Sequence, residues 1–157
     1  MKKICIFSLL LLPFLFSMNK EKKVAQPPFK IIEATAQSWA GGMPQSGSGI
    51  QYTIKLIITE KKKIEFKKIW IKQQEEDLEV FALGKIEKKI FTKGDSLILK
   101  CNRKNKYQAD GIIPLVDSTK LPPKPYMGLC QFEYSVNKKS AYFRIPKFKK
   151  LETLNYP

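Results

Sequence analysis

From Phe29 onward, apolar and polar residues alternate in short runs broken by turn residues. The clearest run sets Tyr52, Ile54, Leu56 and Ile58 against Thr53, Lys55, Ile57 and Thr59. That period of two predicts a strand with one buried face. The stretch IEFKKIWIK at 64–72 is dense in β-branched and aromatic residues and predicts another. Further strands are expected at 30–39, 78–84, 96–102, 128–136 and 141–146. The last two flank Asn137-Lys138-Lys139 and predict a hairpin. Residues 85–95 fit two readings, because Ile90-Phe91-Thr92 either ends one strand or forms its own. No window sustains a period of 3.6. About seven strands at short spacing predict an all-β fold, an immunoglobulin-like two-sheet sandwich.

Ahead of this pattern stands a different one. Lys2 and Lys3 precede an apolar run over 4–16, the layout of a signal helix with a positive start and an apolar middle. The run falls short of the roughly 20 residues of a membrane span, and Pro13 lies near its end. Residues 1–17 are therefore expected to be a signal peptide. Cleavage after Ser17 leaves Leu15 at the third position before the cut, where a small residue is preferred. Cleavage after Ala25 leaves Lys23 there, which is worse. Removal near Ser17 is the preferred reading, and an uncleaved anchor is the alternative. Cys5 lies at the start of the apolar run and not after it, which does not match a lipid-acylation site. Residues 18–28, MNKEKKVAQPP, are polar, end in two prolines and are expected to form a flexible tether. Residues 29–157 then make a single β-sandwich domain of ordinary size. The expected location is secreted, periplasmic or at the cell envelope.

Two connections are long. One spans 41–49 (GGMPQSGSG), and the other runs from Arg103 to Met127 and holds four prolines, at 114, 122, 123 and 125. Around the first, Gln37-Ser38-Trp39-Ala40-Gly41-Gly42 and Ser46-Gly47-Ser48-Gly49-Ile50-Gln51-Tyr52 stand out. So does the ending Phe148-Lys149-Lys150-Leu151 followed by Leu154-Asn155-Tyr156-Pro157. With these segments the chain resembles uncharacterised small secreted β-sandwich proteins of Bacteroidota. The resemblance implies export and a β fold, and brings no catalytic residues.

Export changes how the cysteines are read. Without Cys5, only Cys101 and Cys130 remain. Alternation puts Cys101 with Leu97 and Leu99, and Cys130 with Phe132, Tyr134 and Val136, so both face inward. An oxidising compartment favours a disulfide between them, which would stabilise the fold by roughly 3–4 kcal/mol. Two buried thiols that never meet are the other reading, since cysteine also serves as a small core residue.

Charge and chemistry narrow the function classes. The chain holds no histidine, so Ser-His-Asp and Cys-His machinery is impossible and the commonest zinc ligand is missing. Glu75-Glu76-Asp77 is the densest carboxylate run. It reads as a solvated turn, without the alternate ligand spacing and glycine of a calcium loop. The loop at 41–49 lacks the Gly-Lys-Ser/Thr ending of a phosphate cradle, and a strand follows it. Neither a metal nor a cofactor is expected. Formal net charge is +15, yet of the 29 basic residues only Arg103 and Arg144 are arginine. Nucleic-acid sites favour the planar arginine fork, so nucleic acid is not an expected partner. Lysines cluster at expected turns: Lys61-Lys62-Lys63, Lys88-Lys89 and Lys138-Lys139. If successive strands alternate in direction, these tips share one end of the sandwich, and Lys147, Lys149 and Lys150 join them only if the last strand bends back. Such lysines either protect strand ends from foreign pairing or meet an anionic surface. The PxxP match at Pro122 to Pro125 reads as a stiff loop segment.

The expected function is therefore non-catalytic: an envelope-facing binding or scaffold protein with an unspecified protein or glycan partner. Its expected ligand end is built from 41–49 and 103–127, with Trp39, Tyr52, Tyr107 and Tyr126 as candidate contact residues. The alternative is a lysine-mediated binder of anionic envelope glycans or lipids, using Lys61, Lys62, Lys63, Lys138 and Lys139. A membrane partner arises otherwise only from an uncleaved leader. An enzyme working by carboxylates or lysine is the least favoured reading.

Overall fold

The computed structural model describes residues 26–42, 47–83, 89–105 and 120–157. The expected signal helix at 1–17 and the tether up to residue 25 lie outside the described residues. The first sheet is built on a long antiparallel hairpin of β1 (Phe29–Ala40) and β2 (Ser48–Ile58). The period of two in β2 does what it predicts: Tyr52, Ile54, Leu56 and Ile58 are all buried. β6 (Ser96–Lys104) pairs antiparallel with β2 and buries Leu97, Leu99 and Cys101 on the same side. The short edge strand β5 (Glu79–Ala82) pairs with β6.

The second sheet has β3 (Ile64–Ile71) and β7 (Cys130–Val136) at its centre. β4 (Gln74–Glu76) lies beside β3, and β8 (Lys139–Ile145) lies beside β7. The β7–β8 turn carries positive φ at Asn137 (49°) and Lys138 (70°), the two-residue geometry that suits the twist of a hairpin. Strand orders of β1-β2-β6-β5 on one sheet and β4-β3-β7-β8 on the other give the immunoglobulin-like arrangement. The chain crosses between sheets after β2, β4, β6 and β8.

Three elements differ from expectation. The expected strands correspond to β1, β2, β3, β5, β6, β7 and β8; β4 and β9 (Lys149–Asn155) are additional. The acidic run is not a free turn, because Glu75 and Glu76 belong to β4 and pair with Trp70 and Ile69. Phe91 forms neither a strand nor a strand end, only an isolated bridge to Ile64. β9 adds to the outside of β1 in parallel, starting at Thr35 and running toward Ala40. It is exposed along its whole length, so it shows no alternation by which a sequence would betray it.

The core lies between the sheets. Phe29, Phe66, Phe132, Tyr134 and Phe143 form one aromatic cluster, with Phe29 edge-on to Tyr134 at 5.0 Å and to Phe143 at 5.2 Å. At the other end, Tyr52 packs edge-on against Phe148 at 5.0 Å. Phe148 fills the crossing from β8 to β9 and ties the last strand to the core. Arg103 joins the two sheets at their margin. Its guanidinium donates to the Ile71 carbonyl at 3.3 Å and to Gln74 Oε1 at 2.6 Å, and pairs with Glu76 at 3.4 Å. The expected long connection therefore starts two residues later, because Arg103 and Lys104 still belong to β6. Likewise Ser48 and Gly49 belong to β2 rather than to the glycine-rich loop.

Candidate functional site

Two opposite ends of the sandwich carry the surface features. At one end lie the connections β2–β3, β5–β6 and β7–β8. Asn137 N–H donates to the Lys63 carbonyl at 3.1 Å, joining the hairpin turn to the β2–β3 connection. Thr92 Oγ1 donates to the Lys61 carbonyl at 3.2 Å. Phe91 and Ile64 exchange backbone bonds of 2.8 and 2.9 Å, and Gly94 N–H donates to the Ile58 carbonyl at 3.0 Å. These bonds hold Lys61, Lys62 and Lys63 beside Lys89 and Lys93 on one side and Lys138 and Lys139 on the other, all exposed. Lys88 lies outside the described residues. Among the described residues, the acidic groups at this end are few. Glu60 pairs with Lys62 at 2.6 Å, Asp95 is buried and accepts from Thr92 N–H at 2.9 Å, and Glu65 accepts from Ser135 Oγ at 3.4 Å. Lys149 and Lys150 do not join the cluster. They pair at Thr35 and Ala36, halfway along β1, and β9 runs away from the lysine end.

At the other end lies an open groove of about 340 Å³ lined by Trp39, Gly41, Gln51, Asn102, Tyr156 and Pro157. Trp39 stands opposite Gly49 in the β1–β2 register. A Cβ on Gly49 would come within 2.7 Å of the indole Nε1 and 2.8 Å of Cε2, so the ring lies directly over that glycine. The indole N–H donates to Asn102 Oδ1 at 2.9 Å, which fixes the ring from β6, on the far side of β2. Tyr156 N–H donates to the Ala40 carbonyl at 2.9 Å. A Cβ on Gly42 would stand 2.6 Å from the Pro157 carbonyl carbon, so the end of the chain is packed closely against Gly42 as a wall.

The structure separates the expected ligand residues. Trp39 lines the groove. Tyr52 is buried in the core against Phe148, so it presents no stacking surface. Tyr126 is also buried, and serves as a latch. Its hydroxyl donates to the Trp70 carbonyl at 2.8 Å and accepts from Gln73 N–H at 3.3 Å, while Gln73 Nε2 donates to the Tyr126 carbonyl at 2.7 Å. Tyr107 lies outside the described residues. Sequence reasoning missed Gln51, Asn102 and Tyr156. Gln51 and Asn102 do occupy the outward positions of their strands, which was readable, but their meeting depends on pairing between distant segments.

Cys101 and Cys130 are both buried free thiols, and the structure holds no bridge between them. Burial pushes the Cys101 thiol up to about 12, with Glu76 and Asp77 adding to the rise. Burial likewise pushes Cys130 up, with Cys101 adding a smaller effect. A nucleophilic or redox-active cysteine needs the opposite shift. Glu75 is engaged with Lys68 at 3.1 Å and Glu76 with Arg103. Among the described residues, no cluster of three His, Cys, Asp or Glu side chains could hold a metal.

Compared with known proteins, the chain matches no family model, no curated protein and no solved structure.

Proposed function

We propose that this chain is an exported, non-catalytic β-sandwich that docks by its lysine end on the anionic surface of a cell envelope. The observation that carries the reading is the gathering of lysines from three separate connections onto one end by backbone hydrogen bonds. Dispersed lysines would only solubilise the surface. A cluster opposed by few carboxylates produces a local field that draws and orients an anionic partner.

The path of the chain supports the same orientation. Thr59 N–H donates to the Pro28 carbonyl at 2.9 Å, so the start of the described residues lies at the lysine end. A retained leader would hold that end against the membrane, where its lysines meet phosphate-bearing headgroups. A cleaved leader leaves the same surface free to meet anionic glycans.

The test is co-sedimentation of the protein with vesicles of phosphatidylcholine containing phosphatidylglycerol, beside vesicles of phosphatidylcholine alone. Binding to the anionic vesicles only is expected, weakening as salt rises from about 50 to about 500 mM. Replacing Lys61, Lys63, Lys138 and Lys139 with glutamine should cost about fivefold in affinity for each charge removed, or about 1 kcal/mol. Lys62 should matter less, because Glu60 already holds it. A parallel arm with an anionic polysaccharide distinguishes a lipid from a glycan surface. Binding unchanged by the four substitutions would overturn the proposal.

A further inference from the structure

We propose that the groove at the opposite end is a binding site for a neutral sugar, with the Trp39 indole as its stacking platform. This site is independent of the lysine end in position and in chemistry.

The platform is built before any ligand arrives. Trp39 lies over Gly49, where any side chain would collide with the ring, and Asn102 holds its N–H. A fixed ring has already lost the rotamer freedom that binding would otherwise cost. Its outer face remains partly open to the groove, and Tyr156 stands at the rim, 52 % exposed. Pyranose rings present an apolar face of C–H groups that stacks on such a plate.

The polar lining matches hydroxyl groups. An amide both donates and accepts, as a sugar hydroxyl does. The Asn102 oxygen is taken by the indole, which leaves its NH₂ to donate. Gln51 is half-buried in the wall, and its side chain makes no hydrogen bond among the described residues. Such an amide is a ready partner for a ligand hydroxyl. Gln37, opposite it across the β1–β2 pair, is already engaged with the Glu152 carbonyl at 3.0 Å.

Charge decides the ligand class. Among the described residues no acidic or basic side chain lines the groove, in a chain with formal net charge +15. An anion would find no counter-charge there, whereas a neutral polyol needs none. A volume of about 340 Å³ sits at the small end of ligand sites and suits one sugar unit at the end of a glycan.

Tryptophan fluorescence tests this directly, because the two indoles differ sharply. Trp70 is buried at 2 % exposure, so Trp39 is the indole a ligand can reach. The protein is titrated with cellobiose, maltose, mannobiose and chitobiose, and screened on an array of neutral glycans. At least one neutral glycan is expected to shift the emission, and the Trp70→Phe variant should keep that shift. Trp39→Ala and Gln51→Ala should each weaken binding at least tenfold, with circular dichroism checking that both remain folded. Affinity should be the same at about 50 and about 500 mM salt, and unchanged when the lysines at the far end become glutamine. Absence of any neutral ligand on the array would overturn the proposal. So would binding that survives both Trp39→Ala and Gln51→Ala, or binding confined to anionic glycans and abolished by salt.

Discussion

Tyr126 shows how a single residue can be misjudged from its type. An aromatic in a proline-rich connection invites a ligand role, but its hydroxyl bridges the Trp70 carbonyl and the Gln73 N–H. That bridge supports a turn with poor local chemistry. Lys72 and Gln73 both have positive φ, at 50° and 67°, without being glycine or asparagine, a conformation that costs roughly 1–2 kcal/mol per residue. Tyr126→Phe should therefore lower stability by about 1–3 kcal/mol, because it strands a buried carbonyl. Urea denaturation reads this, and an unchanged midpoint would refute the latch. The two thiols give a second prediction at this scale. Both have raised values in the folded protein, against about 8.5 in an unfolded chain. Below that pH both states keep the thiol protons. Above it the unfolded chain releases protons that the folded chain holds, so stability falls as pH rises toward about 12. Burial raises Tyr52, Tyr126 and Tyr134 as well, which adds to the same trend at higher pH. Replacing both cysteines with alanine should flatten the fall in urea midpoint between about pH 8.5 and 10. Iodoacetamide should label neither thiol in the native protein and both after unfolding. A native mass showing a Cys101–Cys130 cross-link would contradict the free thiols.

Elements divide by how much of them is buried on one side. β2 and β6 were legible because each has one face in the core, so a period of two is imposed on their residues. β3 was legible as a strand but not in its parity. A register shift between Phe66 and Lys68 turns Trp70 away from the core, between the inward Ile69 and Ile71 and beside Tyr142. Its Nε1 is buried and has no hydrogen-bond partner among the described residues. β4 escaped notice because the turn before it carries none of the usual turn residues. β9 escaped notice because neither of its faces is buried. Its attachment rests on backbone pairing to β1 and on Phe148. Phe148→Ala should cost about 3–5 kcal/mol, and hydrogen exchange at 149–155 should rise more than exchange in β2. Equal protection in both strands would show that β9 is held by its pairing alone.

At the scale of the whole molecule, the two ends have opposite character. One is a lysine surface where Pro28, near the start of the described residues, is bonded to Thr59; the other is a groove whose described lining is aromatic and amide. A protein held to an anionic surface by the first end would present the second outward. The vesicle and sugar experiments are therefore expected to be independent, each ligand binding equally well in the presence of the other. Mutual exclusion of vesicles and sugar would show that both use one site. The sequence alone settled the all-β class, the sandwich, the inward cysteines and the absence of histidine-based chemistry. Those follow from composition and from a local two-residue period, which needs no knowledge of what pairs with what. Tertiary structure decided the rest. Whether Cys101 and Cys130 bond, whether Tyr52 and Tyr126 reach solvent, and whether Trp39 meets Asn102 all depend on register between segments far apart in the chain. Local pattern says which face a residue takes on its strand, but only strand pairing says what stands across from it.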